Sequence, residues 1–190
     1  LQYLLKAYEL DKRDLGTDHP YIAIACTNIG FIYAKKGDYE RAISFYQRAL
    51  TLNESLYGTN HPNVARNHSN IAASYLEEKR YEEAMKEYQI ALDIRRNIEP
   101  DFHDRFAIIY SNMGMIRLYQ KQYAEAETFF QEALALIKRN NNALHPTKAL
   151  ILSNLGLCYQ GKGQLEKALA FFREGLEIYE HLYQAPHDNL

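Results

Sequence analysis

Four dipeptides, Thr27-Asn28, Ser69-Asn70, Ser111-Asn112 and Ser153-Asn154, stand 42 residues apart along the chain. An asparagine carries donors and an acceptor in one side chain, which is what gripping a peptide amide on both sides requires. If successive units pack about 10 Å apart and an extended strand advances about 3.3 Å per residue, one such amide meets about every third residue of a bound peptide. The competing reading is that each asparagine satisfies backbone groups at a tight packing point. The same register places His19, His61, His103, His145 and His187. Neighbouring units would hold those rings about 10 Å apart, whereas zinc keeps each nitrogen at about 2.1 Å, so no metal site is expected. A junction role, capping the next helix or packing on the preceding turn, is expected instead. His68 and His181 lie off the register and form no ligand cluster.

Other chemistry is thin. The run Gly156 to Gly163 nearly matches a phosphate-binding loop, but it ends in Gly where Ser or Thr should hold magnesium, and no strand precedes it. Gly161 and Gly163 read better as a turn. Neither Cys26 nor Cys158 has a histidine-based activation motif nearby, and no nucleophile elbow or zincin motif occurs. Glu82, Glu83 and Glu87 fall on a polar helix face, where solvation explains them. The sequons at Asn53 and Asn67 both fall in helical patterns. No catalytic residue, metal or cofactor is expected.

The elements that position the asparagines follow from an internal repeat. Shifted by 42, Gly16 to Tyr57 matches Gly58 to Glu99 at 15 of 42 positions without a gap, and Ala42, Ala84, Ala126 and Ala168 carry the register onward. Each unit reads as two antiparallel helices. In the second, Gly58 stops one helix and Pro62 opens the next, helix A, along which Ala65, Ile71, Ala72 and Tyr75 recur at helical spacing. Helix B begins near Tyr81 and turns Ala84, Tyr88, Ala91 and Leu92 inward. Small residues let the backbones approach and aromatic rings fill the remaining volume. One such pair cannot bury its own face, whereas stacked pairs can. Units are expected at 16–57, 58–99, 100–141 and 142–183, with 1–15 closing a preceding unit and 184–190 opening a following one.

Ile29-Gly30-x-x-Tyr33 followed by Ala42, Tyr46 and Ala49 resembles the tetratricopeptide signature. The junctions Leu15-Gly16-Thr17-Asp18-His19-Pro20 and Tyr57-Gly58-Thr59-Asn60-His61-Pro62 resemble those of kinesin-light-chain-type repeats, whose period is longer than the usual 34. The resemblance implies an all-α fold, a right-handed α-solenoid of stacked antiparallel helix pairs with helix A lining a concave face. It also implies that the asparagines and their Thr or Ser neighbours face a groove for an extended peptide. Around them vary Ile24, Phe31 and Lys35; Arg66, Ala73 and Glu77; Ile108, Met115 and Tyr119; Leu150, Leu157 and Gln160. The last two sets are mainly apolar, so a peptide with hydrophobic anchors is expected toward the C-terminal half. Chaperone-binding members of the family hold a terminal carboxylate with asparagine plus a basic residue one turn earlier. Here those earlier residues are Ile24, Arg66, Ile108 and Leu150, so only Arg66 with Asn70 suits one acidic group. The third unit departs most, with Pro100 for Gly, Asp104 for Pro and Arg117 for Tyr; a buried guanidinium there must reach solvent or a carboxylate.

Composition narrows the class. The 190 residues are 47% hydrophobic and 24% charged with a net charge of -2, which argues for a packed domain and offers no general attraction for nucleic acid or anionic membrane. Only 9 Gly and 5 Pro occur, which favours long helices. No apolar run reaches the roughly 18 residues of a membrane span. Two widely separated cysteines suit a reducing cytoplasm. The expectation is a non-catalytic interaction scaffold within a larger adaptor or effector. The alternative is a sensor or autoinhibitory module that controls an enzyme or ATPase domain of the same protein.

Overall fold

The computed structural model describes residues 1–98, 103–139 and 146–183, and among them every regular element is helical. They form two compact units. The first holds α1 (Gln2–Leu15), α2 (Pro20–Lys35), α3 (Tyr39–Tyr57), α4 (Pro62–Glu77) and α5 (Tyr81–Ile98). The second holds α6 (His103–Tyr119), α7 (Tyr123–Arg139), α8 (Pro146–Gly161) and α9 (Leu165–Tyr183). Consecutive pairs α2–α3, α4–α5, α6–α7 and α8–α9 are the A and B helices of four hairpins, and α1 packs on α2 as a B helix would. Residues 99–102, 140–145 and 184–190 lie outside the described residues, so Pro100, His145, His187 and the expected opening of a following unit are not located, nor are the side chains of His103 and Asp104.

Local chemistry explains the boundaries. The rings of His19 and His61 cap α2 and α4: Nδ1 accepts from the backbone N–H of Tyr21 at 3.3 Å and of Asn63 at 3.1 Å. Each stacks on a tyrosine, His19 on Tyr21 and His61 on Tyr57. Pro20 and Pro62 follow, where a missing N–H costs nothing. Gly16 and Gly58 end α1 and α3 with φ of 85° and 79° and ψ near 172° and 170°, a region only glycine enters cheaply. The A-to-B turns also share one geometry. Gly37, Lys79, Lys121 and Gly163 stand in register with φ between 60° and 78°, and the following N–H bonds back to a carbonyl five residues earlier, as Arg80 to Tyr75 at 2.9 Å. Lysine holds that left-handed conformation at roughly 1 kcal/mol relative to glycine.

The two cores share register positions such as Tyr46 with Phe130 and Ile29 with Leu155. In the first, Ile22, Cys26, Ile29 and Tyr33 of α2 meet Ala42 and Tyr46 of α3, Ile71 of α4 and Tyr8 of α1. In the second, Phe130 and Ile137 of α7 meet Ile151, Leu155 and Cys158 of α8. The small residue of helix A is a seat for the aromatic ring of helix B. A Cβ added at Gly30 would stand 2.8 Å from Tyr46, and one at Gly114 2.7 Å from Phe130. Near the hairpin turn Arg41 lies 4.7 Å over the ring of Tyr33, and Lys167 lies 5.3 Å over that of Tyr159. The third hairpin carries Arg117 and Glu125 at those positions. Their Nε and Oε2 lie 3.1 Å apart, and Nη1 donates to Gln120 and Gln122. The guanidinium that replaces tyrosine is answered by a carboxylate at the position where the first and fourth hairpins carry Arg41 and Lys167.

Candidate peptide-binding surface

In the first unit, α2 and α4 run side by side as neighbouring A helices and two adjoining pockets open along them. One, of about 430 Å³, is walled by Ile24, Thr27, Asn28 and Phe31 from α2 and by Asn63, Arg66 and Asn70 from α4. The other, of about 440 Å³, shares Phe31 and Asn70 and extends to Lys35, Tyr39, Tyr46 and Glu77. Asn28 is exposed and Asn70 half-buried, so both amides remain within reach of a visitor. Arg66 is exposed and has no carboxylate partner among the described residues, which leaves its five donors free for a bidentate contact. Lys35 lies with its ammonium 5.4 Å over the ring of Phe31, so the second pocket carries a cation at one side and Glu77 at the other.

In the second unit the matching positions are apolar. Ile108 is 49% exposed, Leu150 49%, Tyr119 54% and Leu157 42%, while Met115 is half-buried. Large apolar side chains exposed on this scale on neighbouring A helices form an apolar surface patch.

The amide series is not uniform, which corrects the expectation of an open asparagine in each hairpin. Asn112 is half-buried, and Asn154 is buried at 5% exposure with no partner for its Nδ2. The neighbouring hydroxyls also point elsewhere. Thr27, Ser69 and Ser153 each donate at 3.0 Å to the carbonyl four residues earlier, of Ala23, Ala65 and Ala149, and Ser111 is buried. Short hydroxyl side chains in a helix commonly bond back in this way, so Thr27, Ser69 and Ser153 spend their donors within their own helices, and Ser111 is covered. Asn63 and Tyr39 are pocket walls that the sequence does not single out: Asn63 does not repeat, corresponding to Tyr21, and Tyr39, although repeated as Tyr81 and Tyr123, lies on a B helix.

The remaining motifs resolve into structure. Lys162, inside the near-match to a phosphate loop, is ion-paired with Glu127 across α7 and α8, and Tyr159 donates to the same carboxylate at 2.5 Å. Burial pushes the Glu127 carboxyl up, but the hydrogen bonds from Lys162 and Tyr159 outweigh it and hold the group below the usual carboxylate range. The bond to Glu127, reinforced by burial, pushes the Tyr159 hydroxyl up to about 12. Both cysteines are fully buried; burial raises the Cys26 thiol and pushes Cys158 up to about 11, so neither carries a ready thiolate. The sequon asparagines Asn53 and Asn67 are 3% and 0% exposed, and no glycan reaches them in the folded chain. Among the described residues no helix is long and apolar enough to cross a membrane.

Comparison with known proteins agrees with this architecture. No curated protein matches the sequence. BtubC (BKLC) from P. vanneervenii superposes with a TM-score of 0.76 at 23% identity, over 90% of this chain and 68% of that one. A Podosopora anserina putative kinesin light chain with nearly identical TPR-like repeats gives 0.78 at 15% identity, over 97% and 87%. The apo form of RapI gives 0.81 at 19% identity, over 95% and 64%. At these identities the likeness speaks for the fold, an all-α tetratricopeptide solenoid with repeats of the kinesin-light-chain type. The tetratricopeptide repeat profile itself matches residues 21–97 and 105–181, one stretch in each unit and well over half of the sequence; the chain belongs to the tetratricopeptide repeat family.

Proposed function

We propose that this chain is a non-catalytic scaffold that binds an extended peptide segment of a partner protein along its A helices, within a larger adaptor or effector of the reducing cytoplasm. The observation that carries the reading is the pair of adjoining pockets between α2 and α4, with Asn28 and Asn70 accessible and Arg66 lacking a partner of its own. An amide on each of two neighbouring helices suits a peptide backbone, and the guanidinium suits one acidic group on it. The apolar positions Ile108, Met115, Tyr119, Leu150 and Leu157 offer a second surface for hydrophobic anchors. Family membership supports the scaffold; the peptide, its extended form and the site residues are our reading.

Selection from a random-peptide display library on the purified protein tests it. Peptides are expected to share an acidic residue, and Arg66→Ala or Asn28→Ala with Asn70→Ala should weaken them by roughly ten-fold or more, as loss of a hydrogen bond to a charged or amide group of about 1.5 kcal/mol implies, with helical content unchanged. Selected peptides that bind all these variants as tightly as the parent would defeat the reading.

A further inference from the structure

A directed chain of hydrogen bonds crosses the first unit beneath the pocket. Asn53 Nδ2 of α3 donates to Asn67 Oδ1 of α4 at 2.7 Å, Asn67 Nδ2 donates to Thr27 Oγ1 of α2 at 3.3 Å, and the Thr27 hydroxyl donates to the Ala23 carbonyl at 3.0 Å. Asn53 and Asn67 are 3% and 0% exposed. The chain itself displays what this contact looks like without amides: one repeat period on from Asn53 and Asn67 twice over, Ile137 and Ile151 fill the same positions and are 1% and 0% exposed in one apolar cluster. An apolar pair is thus compatible with the hairpin stack. Buried amides rarely stabilise more than well-packed aliphatic side chains do; what they add is direction, because each bond is satisfied at one mutual placement of its helices. The relay ends on Thr27, a wall of the pocket, and its central member adjoins Arg66.

We propose that Asn53, Asn67 and Thr27 are positioning residues that fix α4 on α2 and thereby set the spacing of Arg66 and Asn70 from Asn28, so deciding which peptides the pocket accepts. The inference rests on the peptide-binding reading above. Thr27 then acts on a peptide through the helix it holds, since its hydroxyl is spent on Asn67 and Ala23.

The test replaces the relay with the chain's own apolar solution, Asn53→Ile with Asn67→Ile, and compares parent and variant by peptide titration, thermal melting and crystal structure. The expected result is a melting temperature equal or higher, α4 displaced on α2, and affinity for parent-selected peptides reduced by about five-fold or more, within the range of coupling between contacting residues. A fresh selection on the variant should also return a different consensus. Affinity within about two-fold of the parent, or α2 and α4 superposing unchanged, overturns the proposal. Should the double variant fail to fold, Thr27→Val keeps the Asn53–Asn67 pair and is read by the same three measurements. A parent that selects no peptide defeats the peptide-binding reading instead, and the two crystal structures still decide whether the relay sets the helix placement.

Discussion

Among single residues, Glu127 carries the clearest electrostatic consequence. Its carboxylate receives the Tyr159 hydroxyl from α8 and Lys162 from the turn after it, and those bonds hold its folded-state pKa below the ordinary value of 4.5. A depressed carboxylate contributes stability that is fully present above the unfolded-state value and is lost as pH falls through the folded one. Urea unfolding of the parent and of Glu127→Gln should therefore differ most at neutral pH, in favour of the parent, with the gap closing below about pH 4.5 as the carboxylate takes a proton. A gap independent of pH would assign the pair to packing. None of this was legible beforehand, because Glu127 and Lys162 lie 35 residues apart and only the stacking of α8 on α7 brings them together. Glu87 likewise departs from the expected solvated face: it is half-buried 2.6 Å from His68 inside the second hairpin, where the first has Cys26 and Phe45, a pairing across two helices that spacing along one of them does not reveal.

Between elements, the decisive contact is the seat that helix A offers to the ring of helix B. Phe130 is fully buried against Gly114, and a methyl group there would stand 2.7 Å from the ring, closer than carbon atoms approach. Ring or helix must move, and overpacking of this kind typically costs about 1–3 kcal/mol. Gly114→Ala should lower stability by that amount in chemical denaturation, whereas the second hairpin already holds Ala72 at the same register beside Tyr88. Ala72→Gly should accordingly lose only about 1 kcal/mol, the helix-propensity difference. Helices and seats were readable in advance because they depend on spacing within 42 residues. The fate of the amides was not. Asn28 and Asn154 occupy equivalent register positions, yet one is exposed and the other 5% exposed, so the period alone does not fix how far a side chain at this position is covered. Sequence period fixes the face to within a residue or so, and the width of a groove margin is finer than that.

At the scale of the molecule, a repeat array is a sum of hairpins and the contacts between neighbours, so one register position can carry different weight in different places. Ile43 of α3 is 6% exposed in the first core, whereas Leu169, three periods later on α9, is 49% exposed beside Leu165 at 66% and Leu176 at 56%. Sequence treats Ile43 and Leu169 as equivalents; burial does not. Ile43→Lys forces an unpaired ammonium among apolar side chains, which should cost about 3–5 kcal/mol and unfold part of the first unit. Leu169→Lys changes a solvated position on the outer side of α9 and should fall within about 0.5 kcal/mol of the parent. Thermal melts of the two variants check this directly. If Leu169→Lys proved as damaging as Ile43→Lys, the leucine stripe of α9 would have to be covered in solution, and the exposed surface of the second unit would be smaller than the geometry gives.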